Sequence, residues 1–139
     1  MFQHILVPLD LGGGKQRTLA AALQLAQQSQ ARVTLLHVIQ RIEHVPTNEV
    51  RDFYKRLTET ARDRLAVAAR KLAAKKIDVR AVVLLGTPAE AIVKYADTNR
   101  VDLIVLPSHK VDLAHPAQGW GTTSYKVGIL CQCPVLLIK

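Results

Sequence analysis

The chain has 139 residues, of which 49% are apolar and 22% charged, and its 19 Lys and Arg against 11 Asp and Glu give a formal net charge of +8. This length excludes two ordinary domains and predicts one, spanning residues 1–139, able to bury roughly two-thirds of its unfolded surface without disulfides or a structural metal. The basic balance predicts a surface that attracts anions, whether nucleotide, nucleic acid or acidic lipid.

The opening Met1-Phe2-Gln3-His4 lacks the cationic stretch and long apolar run of a secretory leader. No apolar run reaches the roughly 20 residues that cross a bilayer, so a soluble cytoplasmic protein without membrane insertion is expected. A first strand is predicted over Gln3–Pro8 around Ile5-Leu6-Val7, followed by the loop Pro8-Leu9-Asp10-Leu11-Gly12-Gly13-Gly14-Lys15. A helix over Arg17–Gln28 carries Leu19, Ala22, Leu23 and Ala26 at 3–4 spacing. The second strand covers Arg32–Ile39. In the long second helix, Val50, Phe53, Tyr54, Leu57, Ala61, Leu65, Ala68 and Leu72 form one apolar stripe read as core. Ten of the 19 cations fall between Arg51 and Arg80, the pattern of a solvated helix face; exposed aromatics and nucleic-acid-reading motifs are missing, so a nucleic-acid partner is not expected.

The third strand is predicted over Asp78–Leu85. Thr87-Pro88-Ala89-Glu90 then opens a helix with an N-cap threonine, proline at the first position and a capping-box glutamate. A fourth strand over Val101–Leu106 leads into a loop of about 14 residues, Pro107 to Trp120, longer than a small domain ordinarily leaves without a role. The last helix begins near Gly121-Thr122-Thr123 and stops before Cys133-Pro134, and the strand Pro134–Ile138 follows. Alternating strands and helices, with nearly continuous apolar runs in the strands, predict an α/β fold with a parallel sheet covered on both faces. Cys131 and Cys133 have C-x-C spacing, which is neither a thioredoxin nor a four-ligand zinc pattern, and read as two small buried hydrophobes.

In an open parallel sheet, ligands bind beyond the carboxyl ends of the strands where the strand order reverses, which selects the loops after strands one and four. The first loop is not a Walker loop, since Leu9 and Gln16 stand where glycine and Ser or Thr are needed, and Arg17 breaks a dinucleotide fingerprint begun at Gly12. Asp10, at the end of a strand, can accept from a base or ribose or can serve as a turn residue. Gly121-Thr122-Thr123-Ser124 at a helix start can either hold an oxyanion or simply cap the helix. His109, Asp112 and His115 could supply metal ligands, but nothing fixes their geometry, and no nucleophile with a base partner stands out. No metal site and no catalytic residue are therefore predicted. His4 and His37 read as packed or edge histidines.

Ile5-Leu6-Val7-Pro8-Leu9-Asp10, Leu36-His37-Val38, Gly86-Thr87-Pro88-Ala89-Glu90-Ala91-Ile92, Val101-Asp102-Leu103-Ile104-Val105 and Cys133-Pro134-Val135-Leu136-Leu137-Ile138 together resemble the universal stress protein (UspA-like) family over essentially the whole chain. The resemblance implies a Rossmann-like, open twisted five-stranded parallel sheet of order 3-2-1-4-5, commonly dimeric, and a stress-response regulator that binds ATP or AMP, with Mg accompanying ATP and at most weak ATP hydrolysis. It places an adenine and ribose pocket at Asp10 and Val38, between loops that begin at Pro8-Leu9 and at Pro107, and phosphates at Gly121, Thr122, Thr123 and Ser124. The family's ATP motif, G-x2-G-x9-G-[S/T], keeps only its second half here, as Ser108-x2-Val111-x9-Gly121-Thr122. A left-handed conformation costs a β-branched residue such as Val111 on the order of 1–2 kcal/mol, so ATP affinity falls tenfold or more if the family's loop geometry is required. Ser108, His109 and Lys110 offer side-chain contacts to phosphate in a reshaped loop; Lys126 reaches only if its helix face turns inward. Alternatively the loop plugs the crevice with Trp120 or Leu113, leaving a nucleotide-free interaction module that acts through its homodimer surface. That homodimer is expected to pair the C-terminal strand, a sheet edge, with its two-fold mate.

Overall fold

The computed structural model describes residues 1–12, 15–108, 113–115 and 122–139. Its strands are β1 (His4–Pro8), β2 (Arg32–Gln40), β3 (Val79–Gly86), β4 (Leu103–Pro107) and β5 (Val135–Ile138). Its helices are α1 (Gln16–Ser29), α2 (Arg51–Ala73), α3 (Pro88–Thr98) and α4 (Thr123–Leu130), with a 3-10 turn at Thr47–Glu49. The five strands form one sheet in the order β3-β2-β1-β4-β5, every neighbouring pair parallel. The expected architecture and strand order are those observed.

Strand geometry explains the two-sided core. Side chains alternate across a strand, so Ile5 and Val7 of β1 pack with Ala22, Ala26, Leu65, Ala68 and Leu72 from α1 and α2. Leu6 points to the other face, among Leu36, Ile92, Ala96, Ile104 and Val127, under α3 and α4. Because both faces are covered, Ile5-Leu6-Val7 is wholly buried and reads as a continuous apolar run. The edge strand β3 departs from this expectation, since Arg80 and Ala81 are exposed and Val82 to Leu85 only partly covered.

The α2 stripe is narrower than the sequence suggests. Tyr54, Ala61, Leu65, Ala68 and Leu72 are buried, but Phe53 is 43% and Leu57 38% exposed. At about 100° per residue these two lie roughly 50–90° off the buried axis, so they flank the core instead of entering it. Thr87 occupies the N-cap of α3 and Pro88 its first turn, yet the Thr87 side chain makes no capping hydrogen bond; only its carbonyl accepts, from Ala91 N–H at 2.9 Å. The cysteines also differ from expectation. Both are only half-buried, because the connection from α4 to β5 runs along the surface.

The amino end of the sheet is tied by Asp102. Its carboxylate accepts from Gln3 N–H at 2.8 Å and His4 N–H at 3.0 Å, and its own N–H donates to His4 carbonyl at 3.1 Å. His4 is a packed histidine, its Nδ1 3.1 Å from Asn99 carbonyl and its Nε2 2.8 Å from Thr34 hydroxyl. A carbonyl can only accept, so Nδ1 carries the proton and Nε2 accepts from Thr34 in the neutral ring. Burial lowers its pKa from the ordinary 6.5; Asn99 carbonyl and Asp102 raise it, while Arg32 and Arg80 lower it further. The folded pKa is depressed, so an unfolded chain binds this proton first as pH falls. The contribution is thus fully present above about pH 6.5 and is lost as pH drops through the folded pKa. Thermal melts between about pH 7 and pH 5 are expected to fall more steeply for the native chain than for His4→Gln; equal slopes would refute this.

Candidate functional site

The carboxyl ends of β1, β2 and β4 open into a crevice of about 270 Å³, close to the low end of the roughly 300–1,000 Å³ typical of small-ligand pockets. It lies where the strand order reverses between β1 and β4, on the face covered by α3 and α4. Its location follows from the same alternation that builds the core. Leu6, Leu36 and Ile104 fill the layer beneath these helices, and Pro8, Val38 and Leu106, each two residues further along its strand, line the crevice.

Pro8, Leu9, Asp10, Val38, Pro107, Thr122, Thr123 and Ser124 are all brought to this one space. Asp10 Oδ1 accepts from Gly12 N–H at 3.1 Å, which is the turn role. A carboxylate has about four lone-pair sites, so the turn leaves acceptor capacity for a ribose hydroxyl. Thr122 is the N-cap of α4, its hydroxyl accepting from Tyr125 N–H at 3.4 Å, which is the capping role. Ser124 is buried in the first turn, with its hydroxyl 3.1 Å from Ser108 Oγ and 3.3 Å from Thr122 Oγ1. His109, Lys110, Val111 and Gly121 fall outside the described residues, as do Asp112 and Trp120. Leu113 does not plug the crevice; it is 89% exposed, its side chain turned to solvent. Lys126 is exposed and is not among the lining residues. Among the described residues, no group of three His, Cys, Asp or Glu is placed to hold a metal ion.

Several residues that the sequence reading passed over also belong here. Leu36, Ile92 and Leu106 give the crevice an apolar wall together with Val38. The period-2 pattern of Leu36 and Val38, and the four-residue spacing of Pro88 and Ile92 on α3, are the signals that point to them. His37, read as a packed or edge histidine, also lines the crevice; its Nδ1 donates to Leu9 carbonyl at 2.8 Å, which leaves Nε2 as the ring's other polar atom. Lys139 places its Nζ 3.3 Å from Ser108 Oγ, while its carbonyl accepts from Arg17 Nη1 at 2.7 Å. The parallel register Pro107↔Ile138 is what sets Lys139 level with Ser108. A chain of polar groups, Thr122–Ser124–Ser108–Lys139, thus runs from the N-terminus of α4 to the end of β5. Backbone N–H groups of a helix start, hydroxyls and an ammonium form a donor set suited to phosphate, and the opposite apolar wall suits a base.

Comparison with known proteins agrees with this architecture. The universal stress protein family model matches residues 1–139. Universal stress protein YxiE of Bacillus subtilis is 28% identical over 149 residues, covering 100% of both chains. The solved structure of universal stress protein UspA from Lactobacillus plantarum superposes with a TM-score of 0.84 at 26% identity, covering 99% of this chain and 98% of that one. Two more distant structures of the same fold carry ligands. One is a universal stress protein in complex with cAMP (TM-score 0.74, 19% identity, 99% and 97% covered), the other the protein from Archaeoglobus fulgidus in complex with dAMP (0.71, 18%, 99% and 98%). Since the family model spans every residue and the sheet order is the one the family implies, this chain belongs to the universal stress protein family.

Proposed function

We propose that this protein is a stress-response regulator that binds an adenine nucleotide, ATP or AMP, in the crevice at the carboxyl ends of β1 and β4. The observation that carries the reading is one small space with an apolar wall and the start of α4, with Thr122, Thr123 and Ser124, both lining it; Ser108 and Lys139 adjoin it through the contacts Ser124–Ser108 and Ser108–Lys139 and are not lining residues. Adenine lies against Leu36, Val38 and Ile92, the ribose hydroxyls reach Asp10, and the phosphates meet the start of α4, where Ser124, Ser108 and Lys139 converge. The cAMP and dAMP complexes of its structural relatives support an adenine monophosphate as the common element. ATP, with Mg, adds two phosphates beyond that point; His109, Lys110, Val111 and Gly121, which the sequence assigns to them, lie outside the described residues.

The test is to denature the purified protein and identify any released nucleotide by mass spectrometry, then titrate the emptied protein calorimetrically with AMP, Mg-ATP and adenosine. Both nucleotides are expected to bind, adenosine more weakly because it forgoes the donors at α4. No heat with any of them up to about millimolar concentration sinks the proposal.

A second reading rests on another observation. Ile129 is 62% and Leu130 51% exposed, Tyr125 and Leu136 are also exposed, and all four lie on α4 and the edge strand β5. An edge strand carries unpaired backbone groups, and an apolar surface beside it favours a partner. We propose that a second copy of this chain pairs along β5 to form a homodimer, which also serves an interaction module acting without nucleotide. Sedimentation over a broad dilution series is expected to show a dimer that Leu136→Lys converts to monomer; a wild type that is monomeric throughout removes it.

A further inference from the structure

Cys131 caps the C-terminus of α4 and Cys133 lies two residues on, before β5. Cys131 leaves the helix with extended angles, φ −76° and ψ 144°, and the chain then bends at Gln132 and Cys133. The two Sγ atoms lie 3.4 Å apart, with both thiols free and half-buried. They line a surface cavity of about 530 Å³ with Lys94, Asp97, Arg100 and Gln132.

We propose that Cys131 and Cys133 form a reversible dithiol–disulfide couple, oxidised by a low-molecular-weight disulfide that enters through this cavity. The cavity supplies access, and its two cations, Lys94 and Arg100, are matched by two carboxylates, Glu90 and Asp97. Closing the bond requires the sulfurs to approach by roughly 1.4 Å, to the 2.03–2.05 Å of a disulfide, a shift within reach of χ1 rotation in half-exposed side chains. One thiolate of the pair attacks one sulfur of the oxidant; the oxidant's S–S bond breaks and one half leaves as a thiolate that takes up a proton. The other cysteine then loses its proton to solvent, attacks the protein sulfur of the mixed disulfide, and expels the second half as a thiol. The protein gives up two hydrogens and two electrons, and the oxidant becomes two thiols. Burial raises the Cys133 thiol, with the contact to the Cys131 sulfur adding to it and Asp102 contributing. The couple sits on the segment joining the crevice helix to the edge strand, so its closure restrains both.

The experiment treats the reduced full chain with glutathione disulfide, quenches with acid, and reads intact mass before and after alkylation. The expected product has lost two hydrogens, takes up no alkylating agent and returns to the dithiol with dithiothreitol. Cys133→Ser and Cys131→Ser are each expected to stop at a single glutathione adduct on the remaining cysteine. A wild type that ends as a stable glutathione adduct, as a cross-linked dimer, or unmodified overturns the proposal. Should either serine variant fail to fold, the wild-type mass alone decides.

Discussion

Val38→Trp is expected to weaken AMP and ATP binding by at least about 100-fold while the melting temperature stays within a few degrees of the native value. Val38 sits near the carboxyl end of β2, half-buried, where its side chain faces the crevice and leaves the layer below to Leu6 and Leu36. An indole placed there occupies much of a 270 Å³ space, and the base then has no apolar wall to lie against. A 100-fold loss corresponds to about 2.7 kcal/mol, within what burying one aromatic face contributes. Stability is spared because the added atoms extend into open crevice, not into close-packed core. Ser124→Ala is the complementary change. It removes one hydroxyl from the start of α4, so AMP is expected to lose about fivefold to tenfold in affinity and adenosine almost nothing. Calorimetric titration of all three ligands separates the two effects. Equal losses for AMP and adenosine in Ser124→Ala would place the phosphate elsewhere, and native affinity in Val38→Trp would place the base elsewhere.

The layers of the fold were legible because their causes are local. Ile5-Leu6-Val7 is continuous and apolar because helices cover both faces of β1, and the last helix stops, at Leu130, before Cys133-Pro134 as expected. The α2 stripe misled at Phe53 and Leu57, since Phe53, next to Tyr54, lies about 100° round the helix from it and Leu57, three residues on, about 60° round to the same side. The crevice was legible where strand ends and a helix start mark it, at Asp10, Val38 and Thr122–Ser124. His37 and Lys139 were not, for reasons of distance along the chain. His37 reaches Leu9 across 28 positions and Lys139 reaches Ser108 across 31, and both contacts depend on how parallel strands are registered. No local pattern contains a register. The cysteine contact had the opposite character, being visible as a spacing but meaningful only once the path of the backbone after α4 brings the two sulfurs to 3.4 Å.

Leu6→Ala is expected to cost about 3–5 kcal/mol of stability. Leu6 is 0% exposed at the centre of the sheet, enclosed by Leu36, Ile104 and Val127, and its strand is hydrogen-bonded on both sides. Neighbours held on two paired strands cannot move in to fill the space, so the loss includes the cavity as well as the transfer of the missing methyl and methylene groups. For a domain of this size the midpoint should fall by roughly 10–20 °C, and since a native domain has only about 5–15 kcal/mol to lose, a large part of its stability goes with one side chain. Leu113→Ala removes the same atoms from a residue that is 89% exposed and is expected to change stability by less than about 0.5 kcal/mol. Paired urea and thermal melts measure both. A Leu6→Ala loss below about 1.5 kcal/mol would mean that the sheet closes around the gap, and the rigid floor on which the crevice argument depends would be softer than its packing indicates, because Leu36 belongs both to the Leu6 cluster and to the crevice wall.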